Sequence, residues 1–365
     1  MRIAQVAPLY ESVPPKTYGG TERVVSWFTE ELVRLGHDVT LFASGDSMTT
    51  ARLVPCCPES LRLSPGCIDQ MAHHFVQLEK IQREKDEFEL IHFHTDYMHF
   101  PISSRENYLS VTTLHGRLDI PDLVPLYEIY ARMPVISISD AQREPFPNLN
   151  WQGTVYHGFP PETFKLCSKP GKYLAFLGRT SPEKGLDKAI EIAKRLGMPL
   201  KIAAKIDKTD QEYFDACIKP LLDSPDIEFL GEIGYSEKNQ FLGEATALLF
   251  PICWQEPFGI VMIEAMACGT PVIAYPLGSV PEVMKEGVSG YVVPDLDGAV
   301  EAAKKIGQVD RRRVRRYFEQ RFTAARMTQD YVKIYERMVS RKKTPRTAAN
   351  GVLNWMKLTS PSSST

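Results

Sequence analysis

The sequence predicts an α/β protein with two doubly wound, parallel-sheet domains that face each other across a cleft. Short apolar runs alternate with helical runs along the chain, a pattern that favours parallel strands. A second series of such runs begins near Tyr173, and both series start with a strand, a glycine-containing turn and a helix. We expect a cleft where the carboxyl ends of the strands converge.

The first half alternates five predicted strands with two predicted helices. Helix Thr21–Leu35 has apolar residues close to the 3.6-residue period, and Gly36 supplies its C-terminal stop. A second helix is predicted over Gln70–Arg83. The strands are predicted at Ile3–Pro8, Val39–Ala43, Leu90–His94, Val111–Leu114 and Val135–Ser139.

The second half begins with Tyr173–Leu177, whose apolar and aromatic residues are typical of a buried parallel strand. Ser181 and Pro182 then suit the N-cap and first turn of a helix that ends at Gly197. Further strands are predicted at Leu200–Ala204, Ile227–Leu230, Ala247–Pro251, Pro271–Tyr275 and Gly290–Val293. Further helices are predicted near 211–222, 237–244, 260–268, 279–286, 296–306 and 311–339.

The length of 365 residues fits two domains. Residues 146–172 are rich in Pro, Gly and polar residues and are predicted to hold the linker, which gives domains over 1–160 and 161–324. The tail 341–365 is basic and then rich in Ser, Thr and Pro, so we expect it to be disordered.

Composition excludes several classes of function. The net charge of −2 argues against a nucleic-acid binder that relies on bulk positive charge. No apolar run is long enough to span a membrane, and the N-terminal apolar run is too short for a signal peptide. The seven cysteines form no CxxC pair and are odd in number, so we expect reduced thiols in a cytoplasmic protein.

The segment Glu256-Pro-Phe-Gly-Ile-Val-Met-Ile-Glu264 is the strongest chemical signal. Glu264 is the single charge in an otherwise apolar helix, and a buried carboxylate needs partners. A ribose diol could supply two hydroxyl donors; the alternative is a core Arg or Lys. Glu256 lies just before the helix, where the amides of 258–260 lack intrahelical acceptors, which suits the hydroxyls of a sugar.

The segment Gly178-Arg-Thr-Ser-Pro-Glu-Lys-Gly185 ends a strand and opens a helix. Arg179 and Lys184 both reach the mouth of this loop, and two cations beside a helix start suit a diphosphate without a metal ion. The alternative is a solvated surface pair between Glu183 and Lys184 or another neighbour.

Two further strand ends carry candidate site residues. Gly19 and Gly20 permit close approach of a ligand after the first strand; the alternative is a plain tight turn. Neither GxGxxG nor GxxxxGK[ST] is present, so a nicotinamide dinucleotide is weakly supported. His115 ends another strand, a position that favours a site residue over a core histidine.

We predict no metal site. The histidines 92, 94 and 99, and the cysteines 56, 57 and 67 with histidines 73 and 74, match no ligand spacing that we recognise. The run Arg311–Arg316 is interpreted as a solvated helix face; the alternative is a patch that contacts anionic lipid at the inner face of the membrane or a partner protein.

Together the motifs GGTER, TLHG, FLGR…PEKG and EPFGxxxxEAMACGTPVI resemble those of the GT-B glycosyltransferases of family 4, in the same order and over most of residues 1–340. The resemblance implies two Rossmann-like domains, a nucleotide-sugar donor held mostly by the second, and a final helix near 325–340 that crosses back onto the first. It implies a UDP- or GDP-sugar as donor substrate, no other cofactor, and an acceptor that is a glycan, a lipid or a small molecule. The implied donor-binding residues are Gly20, Arg179, Lys184, Lys205, Ile233, Glu256, Phe258, Gly259, Ile260 and Glu264.

The resemblance also implies the chemistry. Hexosyl transfer would proceed with retention and without a metal, while Arg179 and Lys184 stabilise the departing diphosphate. Glu256 would orient the sugar, and His115 would lie near its reacting carbon. Lys205 stands where relatives often have glycine, so its contact with the donor is an open hypothesis. The alternatives are a nucleotide-sugar epimerase and a non-catalytic protein that binds sugar nucleotides.

Overall fold

A computed structural model describes residues 1–16, 19–62 and 64–343. Its first sheet has seven strands, all paired in parallel. They are β1 (Arg2–Val6), β2 (Asp38–Ser44), β3 (Arg52–Cys57), β4 (Leu90–Phe93), β5 (Ser110–Thr113), β6 (Val135–Ser137) and β7 (Trp151–Thr154). Their order across the sheet is β3-β2-β1-β4-β5-β6-β7, so the direction of winding reverses between β1 and β4.

The second sheet has six strands, again all parallel. They are β8 (Leu174–Arg179), β9 (Leu200–Lys205), β10 (Ile227–Gly231), β11 (Ala247–Phe250), β12 (Val272–Ala274) and β13 (Gly290–Val292). The order β10-β9-β8-β11-β12-β13 reverses between β8 and β11. The predicted fold class, two doubly wound parallel-sheet domains, is confirmed. We call the parts built on the first and second sheets the N-lobe and the C-lobe.

Helices connect the strands and cover the sheets. They are α1 (Gly20–Arg34), α2 (Gln70–Glu84), α3 (Phe100–Ser103), α4 (Leu123–Ile129), α5 (Leu186–Leu196), α6 (Gln211–Tyr213), α7 (Tyr235–Gly243), α8 (Ile260–Ala267), α9 (Val280–Val283), α10 (Leu296–Lys305), α11 (Arg311–Arg321) and α12 (Ala324–Lys343). The last of them, α12, packs on the N-lobe, where Tyr331 and Tyr335 are fully buried. The ring centroids of Tyr331 and Phe28 of α1 are 4.4 Å apart.

Several predicted boundaries are wrong. The predicted linker over 146–172 contains β7, the last strand of the N-lobe sheet, and the prediction also missed β3. Both are edge strands, and β3 contains Pro55, which an edge position tolerates. The predicted helix over 311–339 is two helices that part at Phe322 and Thr323. Residues 344–365 of the predicted disordered tail lie outside the described residues.

The arginine run 311–316 is only in part the solvated face that we predicted, because Arg312, Arg313 and Arg316 are exposed but Arg311 and Arg315 are not. Arg311 is buried, and its guanidinium donates to the carbonyls of Cys167, Gly243 and Ala245 at 2.6–2.8 Å. Arg315 donates to three further carbonyls of the C-lobe. These two side chains point inward because the backbone carbonyls they meet would otherwise lack donors. No helix in the described ranges is long and apolar enough to cross a membrane.

Candidate functional site

The candidate site is a pair of adjoining cavities between the lobes, at the carboxyl ends of the strands where both sheets reverse direction. Such crevices are the usual ligand sites of open α/β sheets. The inner cavity has a volume of about 230 Å³ and the outer cavity about 460 Å³. Every residue that the sequence predicted lines one or both. They are Gly20, His115, Arg179, Lys184, Lys205, Ile233, Glu256, Phe258, Gly259, Ile260 and Glu264.

Two cations stand where the cavities meet. Arg179 is the last residue of β8, and Lys184 lies in the turn that precedes α5; both line both cavities. The Arg179 guanidinium donates to Glu183 at 2.8 Å and lies 3.7 Å from a carboxylate oxygen of Asp207. The surface pair considered as an alternative for Glu183 therefore exists, with Arg179, yet the arginine still borders the cavities.

The carboxylate of Glu256 is held from two sides. Lys184 Nζ donates to its Oε2 at 2.5 Å, and the indole Nε1 of Trp254 donates to the same oxygen at 3.0 Å. Lys184 Nζ also lies 4.7 Å from the centre of the Trp254 ring. An anion that enters beside Lys184 can accept a charge-assisted hydrogen bond from the ammonium group in place of Glu256, so the lysine is positioned to bind either group.

The start of α8 borders the outer cavity. Gly259 precedes the helix with φ +71°, and an added Cβ would lie 2.8 Å from Met262 Cε and 3.0 Å from Phe250 Cζ. Glycine is thus required by both conformation and space. Phe258 is buried against His157, with ring centroids 4.8 Å apart. Ile260, the first residue of α8, borders the outer cavity, and the first amides of a helix have no acceptor within the helix itself.

Glu264 is paired with Lys238 of α7. The ammonium donates to both carboxylate oxygens, at 2.9 and 3.1 Å, and the side chain of Glu264 is 2% exposed. The core cation considered as an alternative to a ribose is therefore present. Both residues nevertheless line the inner cavity, together with Tyr235, whose ring lies 4.0 Å from the guanidinium carbon of Arg23 on α1.

Gly20 is the first residue of α1 and borders both cavities. A Cβ at this position would meet nothing within 4 Å, so packing does not require glycine here. Lys205 ends β9, borders both cavities and is paired with Asp207 at 2.6 Å. Ile233 follows β10 and borders the inner cavity alone.

His115 ends a hydrogen-bonded chain that runs through the N-lobe. Its Nε2 lies 2.9 Å from His94 Nδ1, and His94 Nε2 lies 2.8 Å from the amide oxygen of Gln5. The amide nitrogen of Gln5 donates to the hydroxyl of Tyr335, which lies 2.5 Å from His92 Nδ1. An amide oxygen only accepts, so His94 donates through Nε2 and His115 donates to His94 Nδ1.

This chain fixes the state of His115. Burial lowers the pKa of His115 to about 3, so the ring is neutral, and its Nδ1 is left as an acceptor. That atom is buried and has no partner in the described part of the chain. Both ring nitrogens of His92 and of His94 take part in hydrogen bonds, and no group of three or more metal-binding side chains occurs within residues 1–16, 19–62 and 64–343.

The cavity-lining residues that sequence reasoning missed include Arg23, Tyr235, Lys238 and Trp254. Tyr235 and Lys238 are three residues apart and therefore share one face of α7. That spacing was readable in the sequence, but nothing local linked this face to Glu264, which is 26 residues away.

Comparison with known proteins agrees with the fold. Residues 18–148 match the family Glycosyltransferase Family 4, and residues 163–319 match Glycosyl transferases group 1. An uncharacterized glycosyltransferase of Methanocaldococcus jannaschii is 24% identical over 80% of this chain and 85% of its own length. Sucrose-phosphate synthase from Thermosynechococcus elongatus has the same fold, with a TM-score of 0.76, 17% identity, and 93% of this chain and all of that chain covered.

The Anabaena protein HepE, solved in complex with UDP and glucose, is also similar, with a TM-score of 0.70 and 20% identity over 92% of this chain and all of that one. The family matches cover both lobes. The chain is therefore a glycosyltransferase and belongs to family 4 of the GT-B glycosyltransferases.

Proposed function

We propose that the protein transfers a hexosyl group from a nucleoside-diphosphate sugar to an acceptor hydroxyl, with retention and without a divalent metal. The observation that carries this proposal is the position of Arg179 and Lys184 at the junction of the two cavities. A diphosphate there would have its nucleoside in the inner cavity and its sugar in the outer one. Each charge-assisted hydrogen bond to it contributes about 1.5–3 kcal/mol.

The walls of each cavity suit the part of the donor assigned to it. In the inner cavity Glu264 can accept from ribose hydroxyls, and the backbone at Ile233 borders the nucleobase. In the outer cavity Glu256 and the amides at Phe258, Gly259 and Ile260 can bind sugar hydroxyls. The UDP and glucose bound by the structurally similar HepE support this assignment.

The mechanism that follows is a front-face displacement. Arg179 and Lys184 stabilise the charge that develops on the departing diphosphate, which is electrostatic stabilisation by groups already in place. The leaving oxygen takes the proton of the acceptor hydroxyl as the new glycosidic bond forms on the same face. Glu256 orients the sugar, and the neutral His115 accepts a hydrogen bond from it through Nδ1.

The test is Lys184→Ala, assayed at saturating donor. We expect turnover to fall about 100-fold, the size typical of losing one donor to a developing anion. Lys194→Ala is the matched control, because Lys194 is exposed on α5 and borders neither cavity. Unchanged turnover in Lys184→Ala, or strict dependence on Mg²⁺, would contradict the clamp.

Two further readings of the same assay test the reaction type. NMR of the product should show the anomeric configuration of the donor, and an inverted product would contradict retention. When the nucleotide sugar is incubated with the protein and no acceptor, its sugar should keep its configuration. Conversion of that sugar to an epimer would indicate that the protein is a nucleotide-sugar epimerase.

A further inference from the structure

Glu282 of α9 connects the C-lobe to the N-lobe through hydrogen bonds. Its Oε1 accepts from the backbone N–H of Ala141 at 2.7 Å, and its Oε2 accepts from the backbone N–H of Asp140 at 2.8 Å. The hydroxyl of Tyr156 donates to Oε2 at 3.0 Å. One carboxylate of the C-lobe therefore receives three hydrogen bonds from residues that follow the last two strands of the N-lobe sheet, β6 and β7.

On the N-lobe side, the residue next to this contact supports His115. Gln142 is buried, and its amide nitrogen donates to the carbonyls of Leu114 and Gly116, at 2.9 and 2.7 Å. These two residues precede and follow His115 in the chain, so Gln142 holds the backbone on both sides of it. The position of His115 in the outer cavity therefore depends on the turn after β6, which carries Gln142.

On the C-lobe side, the residues that precede α9 support the loop that carries Glu256. Ser279 is fully buried; its backbone N–H donates to the carbonyl of Glu256 at 2.9 Å, and its hydroxyl donates to the carbonyl of Phe258 at 2.8 Å. Gly278 approaches the same loop so closely that an added Cβ would lie 2.4 Å from the backbone nitrogen of Glu256. The loop is thus fixed to the start of α9, and Glu282 lies on this same short helix.

Between the Glu282 contact and the outer cavity, the two lobes leave a small crevice. Its volume is about 50 Å³, and it is lined by Ala141 and Gln142 from the N-lobe and by Glu256 and Gly278 from the C-lobe. Close packing would fix the separation of two walls by itself, but a crevice leaves that separation to directional hydrogen bonds. The hydrogen bonds of Glu282, one of them to a residue that lines the crevice, are placed to set this separation.

We propose that Glu282 is a positioning residue that holds His115 at a fixed distance from Glu256 across the outer cavity. Glu282 lines neither the inner nor the outer cavity, so its effect on the sugar acts through the two residues that it holds. The role rests on the proposed function, in which His115 and Glu256 bind the same sugar ring from opposite lobes. The placement affects the rate, because a displacement of about 1 Å at a reacting centre can lower turnover by about 100-fold.

The test compares Glu282→Gln with the wild type. Glutamine has nearly the same size, but its NH₂ group only donates, so one of the two backbone N–H groups loses its acceptor. The assay is hydrolysis of saturating UDP-glucose, or of GDP-mannose if the guanosine base binds, in which water replaces the acceptor. We expect turnover to fall by about 10- to 100-fold. The affinity for the nucleoside diphosphate should change less than about threefold, because α1 has its own contact with the inner cavity, between Arg23 and Tyr235.

Glu286→Gln is the matched control and should keep its turnover, because Glu286 also accepts from a backbone N–H, that of Val292 at 2.9 Å, but within the C-lobe. Tyr156→Phe removes one donor to Glu282 and keeps the ring, so it should lower turnover in the same way by a smaller factor, and the test does not depend on a single variant. A double-mutant cycle with His115→Ala separates placement from a general loss of structure. Once the His115 ring is absent, Glu282→Gln should lower turnover by less than about threefold.

The ¹⁵N chemical shift of His115 Nδ1 gives a readout that does not depend on turnover. In the wild type the nucleotide sugar should change this shift more than the nucleoside diphosphate does, and Glu282→Gln should reduce the difference. The positioning role is overturned if turnover is unchanged in both Glu282→Gln and Tyr156→Phe, if the effect of Glu282→Gln is equally large without the His115 ring, or if the Nδ1 shifts of Glu282→Gln match the wild type. A wild type that neither binds nor hydrolyses a nucleotide sugar would refute the proposed function itself, whereas an active wild type with one of these results refutes only the role of Glu282.

Discussion

The ion pair between Lys238 and Glu264 gives a quantitative test of how the inner cavity is built. Lys238→Met removes the ammonium group and keeps a similar side-chain length. Glu264, 2% exposed on α8, then loses the donor that lies 2.9 and 3.1 Å from its two oxygens. A carboxylate buried without a partner is strongly unfavourable, so the folded state should lose stability.

The expected size follows from the surroundings. Removing one partner of a buried ion pair costs about 3–5 kcal/mol. Lys238 is 22% exposed, and Arg23 adds a favourable Coulomb interaction with Glu264, so we expect a loss near the lower value, about 3 kcal/mol. Glu264→Gln in the Lys238→Met background removes the uncompensated charge and should recover most of that loss.

The assay is denaturant unfolding of the wild type, both single variants and the double variant. Binding of UDP and of 2′-deoxy-UDP is measured on the same proteins, because a carboxylate that accepts from ribose should favour UDP. We expect Glu264→Gln to reduce that preference. A loss below about 1 kcal/mol in Lys238→Met, within the range of an exposed pair, or a double variant no more stable than Lys238→Met, would refute the reasoning.

Three further predictions concern other parts of the site. Gly20→Ala should leave the free energy of unfolding unchanged, because the added Cβ meets nothing within 4 Å, but it should weaken UDP binding about tenfold. Gly307 has equally open surroundings away from the cavities, so Gly307→Ala is the control and should bind UDP normally. Equal UDP affinity of the two variants would contradict the role of Gly20. Burial raises the pKa of Glu22 from 4.5 to about 7, so the folded state holds a proton that the unfolded state releases, and stability falls as pH rises through this window. Relative to the wild type, the free energy of unfolding of Glu22→Gln should therefore rise by up to about 3 kcal/mol between pH 4.5 and 7, as measured by denaturant unfolding. A difference between the two proteins that does not change with pH would contradict this. Gln5→Leu removes the acceptor that fixes His94, so His115 should no longer be held in its Nε2–H tautomer, and the ¹⁵N chemical shifts of its ring should change. Unchanged shifts would show that the hydrogen bonds from Gln5 through His94 do not set the tautomer.

Central strands were predictable from the sequence because burial on both faces leaves an uninterrupted apolar run. The first strand of each sheet, β1 and β8, starts within one residue of its prediction. The missed strands β3 and β7 lack such a run, because Pro55 interrupts β3 and β7 contains Gln152 and Gly153. The docking of α12 on the N-lobe depends on Tyr331 and Tyr335 meeting Phe28 about 300 residues earlier, a contact that no local pattern encodes.

The candidate site was predictable to the extent that its residues follow strands. Glycines, cations and carboxylates at strand ends must converge when the strands are parallel, and all eleven predicted residues line the cavities. Their partners were not predictable. Lys238 reaches Glu264, and Lys184 reaches Glu256, across 26 and 72 residues. Arg311 looked like part of a solvated run because its acceptors are backbone carbonyls, which leave no trace in side-chain patterning.

The central claim is that Arg179 and Lys184 bind the diphosphate of the donor. Titration calorimetry in EDTA, with UDP and UMP or the guanosine pair if that base binds, tests it most directly. We predict that the wild type prefers the diphosphate by at least about tenfold and that Arg179→Ala and Lys184→Ala each lose most of this preference while they still bind the monophosphate. A preference that survives in both variants, or that requires Mg²⁺ in the wild type, would contradict the account.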